Sequence, residues 1–154
     1  MPSSPHKQFA DPATSDCIFC RIASSELEAS LVFESPAVIA FLDLSPINPG
    51  HTLVIPRRHV SSFSDLQPAE AHALVEVAQR IATCLKAMLP DCEGITLSLA
   101  DGEVAGQEVP HAHFHVIPRH ANDHFGWRRF GQRAERSHLD STAARLREQL
   151  KSER

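Results

Sequence analysis

Apolar residues fall in short runs, or recur with a period of two, in five segments of the chain. Residues 31–34 and 38–42 are β-prone runs separated by a Ser-Pro-Ala tripeptide, so they predict a hairpin. Residues 51–55, 94–100 and 111–118 predict three further strands, which are bounded by proline, glycine or charged residues. The pattern therefore predicts five strands.

Apolar residues recur with helical spacing in two longer segments. The first segment begins at Pro68, which suits the first turn of a helix, and is stopped by Pro90. Its apolar stripe consists of Leu74, Val77, Ala78, Ile81, Leu85 and Leu89. The second begins at Ser137, where Ser-His-Leu-Asp resembles a capping box, and its stripe consists of Leu139, Ala143, Leu146 and Leu150. Residues 17–23 predict a short helical turn.

Three histidines, His111, His113 and His115, alternate with apolar residues in the last predicted strand. On a straight strand their side chains share one face at intervals of roughly 7 Å, so all three cannot reach one metal ion. A division into one metal ligand, one nucleophile and one proton donor is the interpretation we favour. The alternatives are a three-histidine metal site on a bent strand and an incidental polar face.

Cysteines are few, and only Cys17 and Cys20 lie close together in the chain. Their spacing predicts half of a four-ligand zinc site, whose other two ligands would be histidines from distant segments. Two alternatives remain open from the spacing alone: buried inert thiols and a redox pair. Four cysteines with one close pair suit a reducing compartment better than a disulfide framework.

Length and charge exclude several classes of function. At 154 residues the chain accommodates one core domain, which we place at residues 15–120, between a flexible tail at 1–14 and a C-terminal loop and helix at 121–154. The net charge is −4 and no run of Lys or Arg exceeds two residues, which argues against a nucleic-acid partner. There is no apolar leader and no stretch of eighteen apolar residues, so we expect a soluble, cytoplasmic protein with no membrane partner.

Several separated motifs together resemble one known family. They begin at Cys17 (Cys-Ile-Phe-Cys), Phe41 (Phe-Leu-Asp-Leu-Ser-Pro), Pro49 (Pro-Gly-His-Thr-Leu-Val-Ile-Pro-Arg-Arg-His), Ala105 (Ala-Gly-Gln) and His111 (His-Ala-His-Phe-His-Val-Ile-Pro-Arg). In order and spacing they resemble the histidine-triad (HIT) superfamily over residues 16 to 120, and its zinc-containing bacterial hydrolases in particular. The resemblance implies an α+β HIT-like fold with a five-stranded antiparallel sheet, usually paired into a homodimer.

The resemblance also implies roles for individual residues. His113 would attack the α-phosphorus of a nucleotide, His115 and Gln107 would contact the phosphate, and His51 would orient the triad or assist the leaving group. The nucleotide site would comprise Ile18, Phe19, Phe41, Asp43, Leu44, Gln107, Glu108 and Val109, with Asp43 receiving the ribose hydroxyls. A zinc ion would be held by Cys17, Cys20, His59 and His111. Its role would be structural, because four protein ligands leave no position for substrate.

The activity that the resemblance implies is hydrolysis of adenosine monophosphate from phosphoramidate (P–N) substrates through a nucleotidyl-histidine intermediate. An alternative is a dinucleoside polyphosphate hydrolase or phosphorylase, and a third is a nucleotide-binding regulatory module with weak catalysis. Two departures from the family pattern, Ala100 and Glu108, prompt the third hypothesis. The aromatic and basic segment around Trp127, together with the terminal helix, is predicted to shape leaving-group specificity.

Overall fold

The computed structural model describes residues 16–126 and 134–152. The predicted tail at 1–14 and the segment around Trp127 lie outside these ranges. The chain divides into two compact units, residues 1–124 and 125–154. Across the described residues, none of the helices combines the length and apolarity needed to cross a membrane.

The first unit is an antiparallel sheet with two α-helices. Its elements in chain order are α1 (Ile18–Ala23), β1 (Leu31–Glu34), β2 (Val38–Leu42), β3 (Thr52–Pro56), α2 (Pro68–Met88), β4 (Gly94–Ser98) and β5 (Phe114–Arg119). Short 3₁₀ turns span Phe63–Asp65 and Glu103–Ala105. The strands are ordered β1-β2-β3-β5-β4, and every pair is antiparallel. The predicted α+β fold with a five-stranded antiparallel sheet is confirmed.

Each face of the sheet packs on a different helix, because alternate residues of a strand point to opposite faces. On one face, Val38 and Ala40 of β2, Val54 of β3 and Val116 of β5 pack against the buried stripe of α2. On the other, Ile39, Phe41, Leu53 and Ile55 pack against Phe19 and Ile22 of α1. His115 neighbours Leu53 in the ladder, so alternation places it on the α1 face.

The predicted strand at 111–118 begins three residues later than the alternating pattern indicates. The register that pairs Val54 with Phe114 would place Pro56 opposite Ala112. Proline has no N–H to continue a ladder, and the Ala112 N–H instead donates to the Val60 carbonyl at 2.6 Å. His111 and His113 therefore lie on the segment leading into β5 and not on a straight strand.

The helix predictions differ from the structure at the ends. Helix α2 begins at Pro68 as predicted and ends at Met88, one residue early; the Gln67 N–H donates to the Glu70 carboxylate at its start. In the second unit, α3 spans Arg136–Ser152. The predicted capping box is wrong, because Ser137 lies inside the first turn instead of preceding it.

We expect Gly50→Ala to lower the free energy of unfolding by about 1–3 kcal/mol. Gly50 has φ +97°, a backbone conformation that residues with a side chain rarely adopt. An added Cβ would lie 2.9 Å from Leu85 Cδ2 and 3.2 Å from Leu89 Cδ1. Gly102→Ala is the control, since Gly102 has φ +93° but nothing within 4 Å of the added atom. Urea unfolding measures both. Equal losses would show that the contact with α2 contributes nothing.

Candidate active site

A cavity of about 420 Å³ opens on the α1 face of the sheet. Ten residues predicted for the site line it: Ile18, Phe19, Phe41, Asp43, Leu44, His51, Glu108, Val109, His113 and His115. They come from α1, β2, the loop before β3 and the segment around the start of β5. Residues nearly one hundred positions apart in the chain thus converge on one concave surface, which combines an apolar end with a cluster of imidazoles.

The orientation of His113 is set by a single backbone contact. Its Nδ1 lies 2.6 Å from the carbonyl oxygen of His111, and a carbonyl only accepts, so Nδ1 carries the proton and donates. The neutral ring then has its lone pair on Nε2. Phe19 packs edge-on at 5.1 Å between ring centroids and limits rotation of the imidazole. His113 is therefore held in the tautomer that a nitrogen nucleophile requires.

A chain of hydrogen bonds sets the tautomers of His51 and His115. The Ile47 N–H donates to His51 Nδ1 at 3.1 Å, so a neutral His51 carries its proton on Nε2. His51 Nε2 lies 2.9 Å from His115 Nδ1, which must then accept. A neutral His115 consequently carries its proton on Nε2. This series of hydrogen bonds ends at the Nε2–H group of His115, whose ring centroid lies 4.9 Å from that of His113.

Burial keeps this imidazole cluster neutral. Desolvation lowers the pKa of His51 and His113 from the ordinary value, although the carboxylate of Asp43 opposes both shifts. Desolvation, together with the neighbouring His113 and His51, lowers the pKa of His115 to about 4. At neutral pH the three imidazoles are therefore uncharged; His113 has its lone pair on Nε2, and His51 and His115 carry ring N–H groups.

Asp43 lies at the end of β2 with its carboxylate at the cavity. One oxygen accepts the Ser45 N–H at 2.8 Å, and the other lies 3.6 Å from His51 Nε2. The ligand atoms of Asp43, His51 and His115 are close enough to hold a metal ion. The Ile47 N–H argues against that use, because it leaves His51 Nε2 protonated and without a lone pair. The second Asp43 oxygen remains directed toward the imidazoles and the cavity.

Gln107 is the one predicted catalytic residue that does not line the cavity. Its side-chain oxygen accepts the Gly102 N–H, and its side-chain nitrogen donates to the Ser61 carbonyl, each at 2.8 Å. Asp101 similarly accepts from Ser62 Oγ and the Phe63 N–H. These side chains tie the loop after β4 to the loop after β3. Gly106, which the sequence did not single out for the cavity, lines it instead.

The four predicted metal ligands converge in a second cluster, whose ligand atoms all lie within 4.8 Å of one another. His111 Nδ1 lies 3.4 Å from Cys17 Sγ and 3.5 Å from Cys20 Sγ, while His59 Nδ1 lies 3.2 Å from Cys20 Sγ. A tetrahedral zinc ion with Zn–S near 2.3 Å and Zn–N near 2.0 Å would separate sulfur from nitrogen by about 3.5 Å. The donor set and its spacing therefore fit a closed zinc site.

Contacts outside the cluster also suit a metal ligand. His111 is fully buried, and its Nε2 donates to the Pro56 carbonyl at 2.8 Å, which leaves Nδ1 deprotonated on the side of the thiols. Burial lowers the pKa of His111 to about 4, so the ring is neutral, as a ligand must be. The proline that ends the β3–β5 ladder thus also orients a candidate ligand.

We expect the stability of His115→Gln to fall less than that of wild type when the pH is lowered from 6.5 to about 4. Free histidine titrates near pH 6.5, but the pKa of His115 in the fold is about 4. Between these values the unfolded chain binds a proton that the folded chain does not, so stability falls as pH decreases through this window. Thermal unfolding at pH 7 and pH 5 measures the effect. An equally large decrease in the variant would contradict the assignment of a neutral His115.

Comparison with known proteins matches most of the sequence to one family. Residues 24–122 match the HIT domain. An uncharacterized HIT-like protein of Borreliella burgdorferi is 44% identical over 115 residues, covering 74% of this chain and 83% of the relative.

Two solved structures extend the comparison from sequence to fold. A zinc-bound histidine triad family protein from Mycobacterium smegmatis has a TM-score of 0.70 and 33% identity, over 84% of this chain and 99% of that one. A histidine triad nucleotide-binding protein from Candida albicans has a TM-score of 0.79 and 27% identity, over 90% and 99%. With its domain match, its sheet order and its three convergent histidines, the chain belongs to the HIT domain family.

Proposed function

We propose that this protein hydrolyses phosphoramidates of adenosine monophosphate through a covalent intermediate on His113. The observation that carries the proposal is the 2.6 Å bond from His113 Nδ1 to the His111 carbonyl, which leaves Nε2 as the free nitrogen of a buried, neutral ring. Membership in a superfamily of nucleotide-binding proteins and hydrolases supports the substrate class.

In the first step of the proposed reaction, His113 Nε2 attacks the α-phosphorus and forms a P–N bond to the imidazole. The bond from phosphorus to the departing nitrogen breaks, and that nitrogen leaves as an amine after taking up a proton from solvent. His113 Nδ1 keeps its proton on the His111 carbonyl, which stabilises the positive charge that the ring acquires. In the second step, water attacks the same phosphorus, the P–N bond to His113 breaks, and one proton of that water passes to solvent. AMP is released and His113 returns to its starting form.

His115 supports both steps as a hydrogen-bond donor. With His51 donating to its Nδ1, the N–H at Nε2 is the group available to an oxygen of the phosphate. A neutral imidazole is a poor acid near pH 7 but a good donor, so His115 stabilises developing negative charge and need not transfer its proton. Removing such a donor typically costs a few kcal/mol of transition-state stabilisation.

The rest of the cavity supports a substrate with a nucleoside and a non-anionic leaving group. Phe19, Phe41 and Ile18 supply apolar surface for a base, and the Asp43 carboxylate is an acceptor for ribose hydroxyls. Glu108 lines both this cavity and the neighbouring one beside His59. Its negative charge would repel a polyphosphate leaving group, which supports a P–N substrate over a dinucleoside polyphosphate.

We further propose that Cys17, Cys20, His59 and His111 hold a structural zinc ion. When bound, the metal would tie α1 to the segment before β5 and so steady the carbonyl that orients His113. The same protein is proposed to form a homodimer, supported by the position of β4 at the edge of the sheet, where Leu97 is 48% exposed.

Side-by-side turnover tests the substrate assignment. The protein is mixed with an adenosine phosphoramidate and, separately, with a diadenosine polyphosphate, and intact mass is recorded after brief reaction. We expect faster turnover of the phosphoramidate together with an adenylate adduct on the protein. Faster turnover of the diadenosine polyphosphate would contradict the phosphoramidate assignment and favour a dinucleoside polyphosphate hydrolase. Tight AMP binding without turnover of either substrate would overturn the enzymatic assignment.

A further inference from the structure

A buried polar cluster lies outside the cavity lining and contacts the loop that carries His51. Asp123 is its centre: one carboxylate oxygen accepts from Arg119 Nε and the other from Arg119 Nη2, each at 2.6 Å. Arg119 also donates from Nη1 to Thr96 Oγ1 on β4 at 2.9 Å. The Asp123 side chain is only 4% exposed, so the carboxylate is buried with its charge paired.

Asn48 connects this cluster to the active-site loop. Its side-chain nitrogen donates to Asp123 Oδ2 at 2.9 Å and to the Pro118 carbonyl at 2.8 Å. Both partners are acceptors, so the amide orientation follows from its surroundings. Asn48 is 7% exposed and sits beside Ile47, whose N–H donates to His51 Nδ1. The backbone carbonyl of Asn48 accepts the backbone N–H of His51 at 3.0 Å.

Asn48 is the buried residue of an otherwise largely exposed loop. This loop runs from the end of β2 to Gly50, and its residues 44–47 are exposed. The orientation of the Ile47 peptide nevertheless decides which nitrogen of His51 is protonated, and His51 in turn decides the tautomer of His115. A neutral histidine has only one ring proton, so the two bonds cannot both persist in any other tautomer.

We propose that Asn48, anchored by Asp123 and Arg119, is a positioning residue that selects the tautomers of His51 and His115 through the Ile47 peptide. Asn48 is not among the residues that line the cavity. Its effect on turnover rests on the proposed function, because there His115 must present an N–H to the phosphate. Its effect on the tautomers does not depend on any activity.

The experiment uses the full-length protein, with ¹⁵N-labelled histidine, and compares wild type with Asn48→Ala. In wild type we expect His51 and His115 each to be protonated on Nε2 and bare on Nδ1, read from the imidazole ¹⁵N shifts and couplings. In Asn48→Ala we expect both rings to show mixed tautomers. Unchanged tautomers in the variant, or a wild-type His51 protonated on Nδ1, would overturn the proposal.

Kinetics with the adenosine phosphoramidate provide the second readout. Because the His115 donor acts on charge that develops during reaction, kcat in Asn48→Ala should fall on the order of tenfold with little change in KM. A rise in KM with unchanged kcat would contradict a positioning role. If wild type has no activity at all, the proposed function fails while the tautomer result still decides this inference.

Two further variants guard against simple unfolding. Asp123→Asn keeps the size of the side chain but removes the paired charge, and it should produce the same mixed tautomers as Asn48→Ala. Asp91→Asn changes an exposed carboxylate on the adjoining surface cavity, and it should leave tautomers and kcat as in wild type. If Asn48→Ala does not fold, normal tautomers in folded Asp123→Asn would overturn the proposal.

Discussion

His113→Ala is expected to form no adenylate adduct and to lower kcat for an adenosine phosphoramidate by at least about a thousandfold. Among the described residues that line the cavity, His113 alone has Nδ1 bonded to a backbone carbonyl and Nε2 left free, and the substitution removes that ring. Binding of AMP should persist, because Phe19, Phe41 and Asp43 are untouched. Intact mass, single-turnover rates and AMP titration measure these three quantities.

A matched control for this loss is His72→Ala. His72 is an exposed histidine on α2, away from the cavity, so its removal should leave both adduct and rate unchanged. An adduct in His113→Ala of wild-type yield would refute the assignment of the nucleophile. An adduct lost equally in His72→Ala would indicate a general effect of substitution instead of a chemical one.

Removal of the proposed metal is expected to have the second large effect. Cys20→Ser replaces a buried sulfur that contacts both His59 and His111, so the protein should lose bound zinc. Its free energy of unfolding should fall by about 3 kcal/mol or more, the value for a site where free zinc exceeds Kd about a hundredfold. Elemental analysis of purified protein and urea unfolding, with and without chelator, measure both losses.

Cys84→Ser provides the control for Cys20→Ser. Cys84 is an exposed, free cysteine on α2 that lies outside the four-ligand cluster, so its substitution should change neither metal content nor stability. Wild-type protein that contains no zinc after growth with the metal, and whose stability is indifferent to chelator, would contradict the metal site. Zinc retained in Cys20→Ser at full occupancy would do so as well.

Sequence patterns predicted the elements of the first unit well where the signal is local. The hairpin residues 31–34 and 38–42 form strands with those bounds, and α2 begins at Pro68 because proline is tolerated there and restricts the chain beforehand. The convergence of His51, His113 and His115 was implied by the family resemblance. Alternation alone indicates that residues share a face, but it cannot say which distant segments meet that face.

Three features could not be predicted in this way. The late start of β5 depends on pairing with Pro56, the position of Gln107 depends on contacts with Ser61 and Gly102, and the exposure of Cys84 depends on how α2 lies on the sheet. Each is decided by which residues face one another after folding. Composition and periodicity contain no information about that pairing.

The sequence by itself determined the order of strands and helices along the chain and the types of side chain available for chemistry. It also determined the family to which the protein belongs. It did so because periodicity, proline positions and motif spacing are properties of neighbouring residues. Only the tertiary structure decided which ring nitrogen carries the proton in His51, His111, His113 and His115, and which contacts fix it there. Those tautomers depend on the His111 and Pro56 carbonyls and on the Ile47 N–H. The anchoring bonds of Asn48 reach partners 70 and 75 positions away, and nothing local in the chain specifies such contacts.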